Sequence, residues 1–173
     1  MEALDMTPAP TSGKQRWDVN VGVGLFQAVV HCPDLDLLTH LLGVFPQSSV
    51  GLAHLVAPSA TYDVESMRLP GTVEYRVVRN GQEVLAASSW GQLAGWIEAD
   101  LTLSAARFLG SRYHLVHAGA VAWKGKGILI PAESGAGKST LVAVLTLLGF
   151  AYLSDEFGVL TKSGRLLPFA KAI

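Results

Sequence analysis

The run Ala132-Glu133-Ser134-Gly135-Ala136-Gly137-Lys138-Ser139-Thr140 constrains this chain more than any other segment. An apolar run, Gly127 to Ile130, leads into it, and a second, Leu141 to Leu148, follows it. Small residues between two such runs read as a strand, a tight loop and the start of a helix. Residues without bulk let successive backbone N–H groups turn inward, and the helix start adds its positive dipole end. The result is a cradle for phosphate oxygens. Lys138 can reach β- and γ-phosphates as a point charge, and the Ser139 hydroxyl can hold Mg²⁺. The usual pattern opens on Gly. Ala132 stands there instead and narrows the conformations of the first turn.

The 173 residues amount to one domain or slightly more, and a hydrophobic content of 50% is ample for a core. Thirteen Lys and Arg against fourteen Asp and Glu leave a net charge of −1, which supports neither nucleic-acid nor membrane-surface binding. Cys32 is the only cysteine, so no intrachain disulfide forms and a reducing cytoplasm is expected. Met1 to Lys14 lacks the charged start and apolar centre of a signal peptide, and its Pro and Gly residues read as a flexible tail. The uncharged apolar stretch Ser139 to Ser154 is interrupted by Gly149 and too short to span a bilayer.

Residues 15–112 read as a small α+β region. Val19, Val21, Val23 and Leu25 alternate along a strand from Trp17 to Val30, bent at Gly22 or Gly24. Asp34 caps a short helix whose Leu35, Leu38, Leu41 and Leu42 share a side, and Gly43 ends it. Val50 to Val56 and Tyr62 to Met67 read as strands. Thr72 to Arg79 and Gln82 to Ala87 flank Asn80-Gly81, the strongest short-range hairpin signal. Ser89 and Gln92 form a capping box. The helix behind it carries Leu93, Trp96, Ile97, Leu101, Ala105 and Phe108 at helical spacing and stops at Gly110, a stripe that reads as core packing. No catalytic cluster is legible in this region.

Residues 113–173 read as an α/β core. Leu115 to Trp123 is a strand, Lys124 to Gly127 a turn, and Gly127 to Pro131 the returning strand. The loop and its helix follow, with Gly149 as helix stop. Phe150 to Leu153 is the next strand, and Phe157 to Leu160 with Arg165 to Leu167 a closing hairpin. Ser154-Asp155-Glu156 falls at a strand end just after the helix. A helix followed by one strand returns the chain beside the loop in a crossover, which brings these carboxylates to the carboxyl edge of the sheet. There they can hold Mg²⁺ or accept a proton. As an isolated feature, the acid pair would read as an exposed turn. His117 is a polar residue in an apolar strand. On its own it reads as a core histidine, although imidazole also shuttles protons. His31, His40, His54 and His114 show no metal-ligand spacing.

His117-Ala118-Gly119-Ala120-Val121, the Gly-Lys-Ser loop and Ser154-Asp155-Glu156, in that order, resemble the HPr kinase/phosphorylase catalytic domain and its looser HPr-kinase-related group, over about Leu115 to Phe169. The resemblance implies a P-loop core of the kind shared with phosphoenolpyruvate carboxykinase. It implies that Ser134, Gly135, Ala136, Gly137, Lys138, Ser139 and Thr140 bind the ATP phosphates. Ser139, Asp155 and Glu156 would hold Mg²⁺. Asp155 would take the proton from a substrate serine, with His117 beside it. Glu156 stands where the bifunctional enzyme has Asp, so its longer side chain keeps the charge but alters the metal geometry. The family domain continues past the equivalent of Ile173, so the kinase core is expected to be incomplete. No counterpart of the HPr enzyme's N-terminal domain is present. A protein or peptide serine other than that of HPr is the implied substrate, and self-association is implied as well.

Two other readings share the loop. An ABC-type ATPase fragment would use Ser134 to Leu141 in the same way, but no glutamine loop or signature sequence follows. A non-catalytic nucleotide-binding or assembly module would keep the loop and lack the transfer step.

Overall fold

Alternating apolar residues after Trp17 build two strands rather than one bent strand. In the computed structural model, which describes residues 16–45, 48–50 and 58–169, β1 spans Trp17–Val23 and β2 spans Phe26–Cys32. The chain reverses at Gly24, whose φ of 59° suits a residue without Cβ. Val19, Val21 and Val23 are buried as expected, but Leu25 lies in the turn and is exposed. The described residues form a mixed α/β protein of two sheets and three helices. The expected tail, Met1 to Lys14, lies outside them, as does most of the expected strand at Val50 to Val56. Of that strand only Val50 is described, as the second residue of β3, Ser49–Val50, which is antiparallel to β1.

The first sheet has the order β3-β1-β2-β4-β5-β6, with β4 at Ala60–Leu69, β5 at Thr72–Arg79 and β6 at Gln82–Ala87. β2 and β4 run parallel, while β4, β5 and β6 form antiparallel pairs. Asn80 and Gly81 take φ values of 49° and 81°, both positive, as a two-residue hairpin turn demands. Asn80 also ties this turn to β4, since its Oδ1 accepts from the Thr61 N–H at 2.9 Å.

Helix α1, Leu35–Val44, starts where Asp34 Oδ1 accepts from the Leu37 N–H at 3.0 Å. Its buried face is Leu37, Leu38 and Leu41. Leu35 is exposed, and Gly43 sits inside the helix rather than ending it. Helix α2 is Trp90–Gly110. The Gln92 N–H donates to Ser89 Oγ, but the Gln92 side chain reaches the N–H of Ser88 instead of that of Ser89. Leu93, Ile97, Leu101 and Ala105 are fully buried, and Trp96 and Phe108 half-buried. The chain forms two compact units, one of residues up to Gly22 with Gln27–Leu101, the other of Val23–Phe26 with Thr102 onward. The division passes through α2, whereas the expected boundary at 112/113 follows the end of that helix.

In the second unit, β7 is His114–Trp123 and β8 is Lys126–Pro131, joined by a turn at Lys124-Gly125. Helix α3 is Lys138–Leu147. Strands β9, Ala151–Ser154, β10, Phe157–Leu160, and β11, Leu166–Leu167, complete the sheet. β8 pairs antiparallel with one side of β7. β9 and β10 pair antiparallel with successive stretches of β7, Ala120–Ala122 and then His114–His117, so they form one line broken at Asp155-Glu156. β8 and β9 are therefore parallel to each other with β7 between them. α3 approaches β7 closely at Gly119, where an added Cβ would lie 2.6 Å from Val142 Cγ2. Among the described residues no helix is long and apolar enough to cross a membrane.

Candidate functional site

Register on β7 decides what meets at this site. Pro131, the last residue of β8, sits opposite Ala118, and Ser154, the last of β9, opposite Ala120. Because β8 and β9 are parallel, the loop leaving one and the acid pair leaving the other emerge at the same end of the sheet. His117 is the β7 residue next to that level, opposite Phe157. It shares a sheet face with Gly119, two positions on, and therefore with α3. His117, Ser134, Gly135, Gly137, Lys138, Ser139, Thr140, Asp155 and Glu156 together line one open cleft of about 390 Å³. Of the residues predicted for the site, only Ala136 does not line it. Its N–H is used within the loop, donating to the Glu133 carbonyl at 3.2 Å.

The loop ends on Gly137, whose φ of 84° places it in the left-handed region as the N-cap of α3. No side chain caps this helix and no acidic residue stands in its first turn. The first intrahelical bond runs from the Leu141 N–H to the Gly137 carbonyl at 2.9 Å. The N–H groups of Lys138, Ser139 and Thr140 thus have no helical acceptor and, with the helix dipole, favour an anion. The other end is closed by backbone alone. Phe150 N–H donates to the Leu145 carbonyl and Gly149 N–H to that of Thr146, the paired bonds of a glycine-stopped helix.

From Ala132 to Thr140 every residue is exposed except Lys138, which is 8% exposed. Its Nζ donates to the carbonyl oxygens of Ala132 and Glu133 at 2.8 and 2.9 Å, so the side chain staples the loop to the helix. An ammonium has three donors, so one remains for an anion in the cleft.

The acid pair owes its place to Ser154, which is fully buried. Its Oγ accepts from the N–H groups of Glu156 and Phe157 at 3.1 and 3.0 Å and turns the chain out of the strand. Tyr152 Oη donates to Asp155 Oδ1 at 2.9 Å. Sequence reasoning missed both residues. The available signal was a serine directly before two acids at a strand end, a pattern that favours local side-chain to backbone bonding. His117 is exposed, not a core histidine, and its ring stands edge-on to Phe157 at 5.9 Å. Two other histidines pair elsewhere, His31 with Asp18 at 2.6 Å and His40 with Glu98 at 3.6 Å.

Among the described residues no three His, Cys, Asp or Glu side chains cluster as a metal cage. One hydroxyl and two carboxylates, from Ser139, Asp155 and Glu156, fit a Mg²⁺ ion completed by water and phosphate oxygens, which is how that ion is commonly held. Comparison with protein-family models, with curated proteins and with solved structures finds no match to this chain.

Proposed function

We propose that this protein binds ATP at the loop 132–140 and transfers its γ-phosphoryl group to a serine hydroxyl of a protein or peptide, in the manner of the HPr-kinase-related group. The observation that carries this reading is one cleft lined at once by an uncapped helix start, a buried lysine, two carboxylates and an imidazole. Lys138 and the first-turn N–H groups bind and orient the phosphates. Asp155 accepts the serine proton as the serine oxygen bonds to the γ-phosphorus and the bond to the β-phosphate oxygen breaks, releasing ADP. His117 supplies an imidazole able to donate to a phosphoryl oxygen. Two carboxylates against one lysine would repel a triphosphate. Mg²⁺ held by Ser139, Asp155 and Glu156 would neutralise that charge when bound. A cytoplasmic setting and self-association belong to the same proposal.

The test is calorimetric titration of the full chain with MgATP, followed by transfer from γ-labelled ATP to serine peptides. Lys138→Ala should weaken binding at least about tenfold, the loss of one charge-assisted contact. Asp155→Asn should keep binding and lower transfer by about 10²–10⁴. Transfer at the wild-type rate in Asp155→Asn refutes this role for Asp155. Binding with no transfer in the wild type leaves a nucleotide-binding module.

A further inference from the structure

On an unbroken strand, residues three apart face opposite sides of the sheet. Tyr152 and Asp155 are three apart, yet the Tyr152 hydroxyl donates to Asp155 Oδ1 at 2.9 Å. Two observations explain how. The β7–β9 register slips between Ala120 and Val121. Directly after it, the buried Ser154 hydroxyl gathers the N–H groups of Glu156 and Phe157. Together they rotate the backbone so that Asp155 comes back to the side of Tyr152. One carboxylate oxygen is then engaged. The other, Oδ2, has no protein partner among the described residues, while Asp155 lines the cleft.

We propose that Tyr152 and Ser154 are positioning residues for Asp155: Ser154 fixes its backbone, and Tyr152 pins one carboxylate oxygen so that the other meets the substrate hydroxyl in a fixed direction. A carboxylate free about its side-chain torsions would have to be ordered at every turnover, and pre-ordering removes that cost. Neither residue lines the cleft, so neither touches substrate. The catalytic half of this inference rests on the phosphotransfer reading, whereas the structural half does not.

The experiment therefore reads both halves. Three-bond NMR couplings across the Cα–Cβ bond of Asp155 are measured on the full chain without nucleotide, in the wild type, Tyr152→Phe and Ser154→Ala. The wild type should show one rotamer and Tyr152→Phe an average over several, with amide shifts far from β9 unchanged. Ser154→Ala should show the same averaging where it folds, and Tyr152→Phe decides the matter where it does not. With MgATP and a serine peptide, Tyr152→Phe should lower kcat about 10- to 100-fold, the usual cost of losing a residue that orients a site group. KM for MgATP should not change. A single Asp155 rotamer in Tyr152→Phe, an averaged one in the wild type, or a kcat equal to or above that of the wild type would overturn the proposal. If the wild type transfers no phosphate, the functional reading falls, and the couplings alone decide this one.

Discussion

At the scale of the residue, the groups that come to line the cleft could be picked out where side-chain type and short spacing mark them. Lys138 and Ser139 stood out because a cation and a hydroxyl in a small-residue loop before a helix are informative on their own, whereas Asp155, an exposed turn if read alone, stood out only beside that loop. The roles of Ser154 and Tyr152 did not, because they arise only once a strand is broken. Cys32 illustrates a residue-scale consequence of burial. Burial first, then the charges of Asp34 and Asp18, push its thiol well above the ordinary range. The folded protein thus keeps the thiol proton where the unfolded chain releases it. Unfolding free energy should be unaffected by Cys32 below about pH 9 and fall as pH rises beyond it, by at most about 1.4 kcal/mol per pH unit. Urea melts of the wild type and Cys32→Ala between pH 7 and 10.5 check this. The variant should lack that part of the alkaline slope, and parallel slopes would refute it.

At the scale of the element, success followed the strength of local rules. The β5–β6 hairpin was legible at both ends because Asn80-Gly81 permits the positive φ values its turn needs. The capping of α1 by Asp34 was legible for a similar reason, while its buried face was misjudged by including Leu35, since periodicity does not say how far a stripe reaches. The β1–β2 reversal was read as a bend, because alternation continues through both strands and only pairing separates them. The seat of α3 was invisible to any local rule. Gly119 permits it, since a Cβ there would press on Val142. Gly119→Ala should destabilise the protein by about 1–3 kcal/mol through overpacking. Val142→Ala should restore part of that loss when combined with it, as a double-mutant cycle in denaturant would measure. Strict additivity of the two changes would argue against the contact.

At the scale of the molecule, ligand binding should appear as global stability. At MgATP concentrations a hundred times the dissociation constant, linkage adds about 2.7 kcal/mol, seen as a raised melting temperature. Lys138→Ala should show no such rise at the same concentration, and an equal rise in both would mean that nucleotide binds elsewhere. By itself, the sequence determined the loop between strand and helix, the Asn80-Gly81 hairpin, the start of α1 at Asp34 and the stop of α3 at Gly149, since each depends on φ preferences and side-chain reach within a few residues. Only the tertiary structure decided that His117, Lys138 and Asp155 share one cleft. That meeting depends on the register of β8, β9 and β10 on the two sides of β7, and such long-range pairing is selected by packing across the sheet, which no stretch of the chain encodes locally.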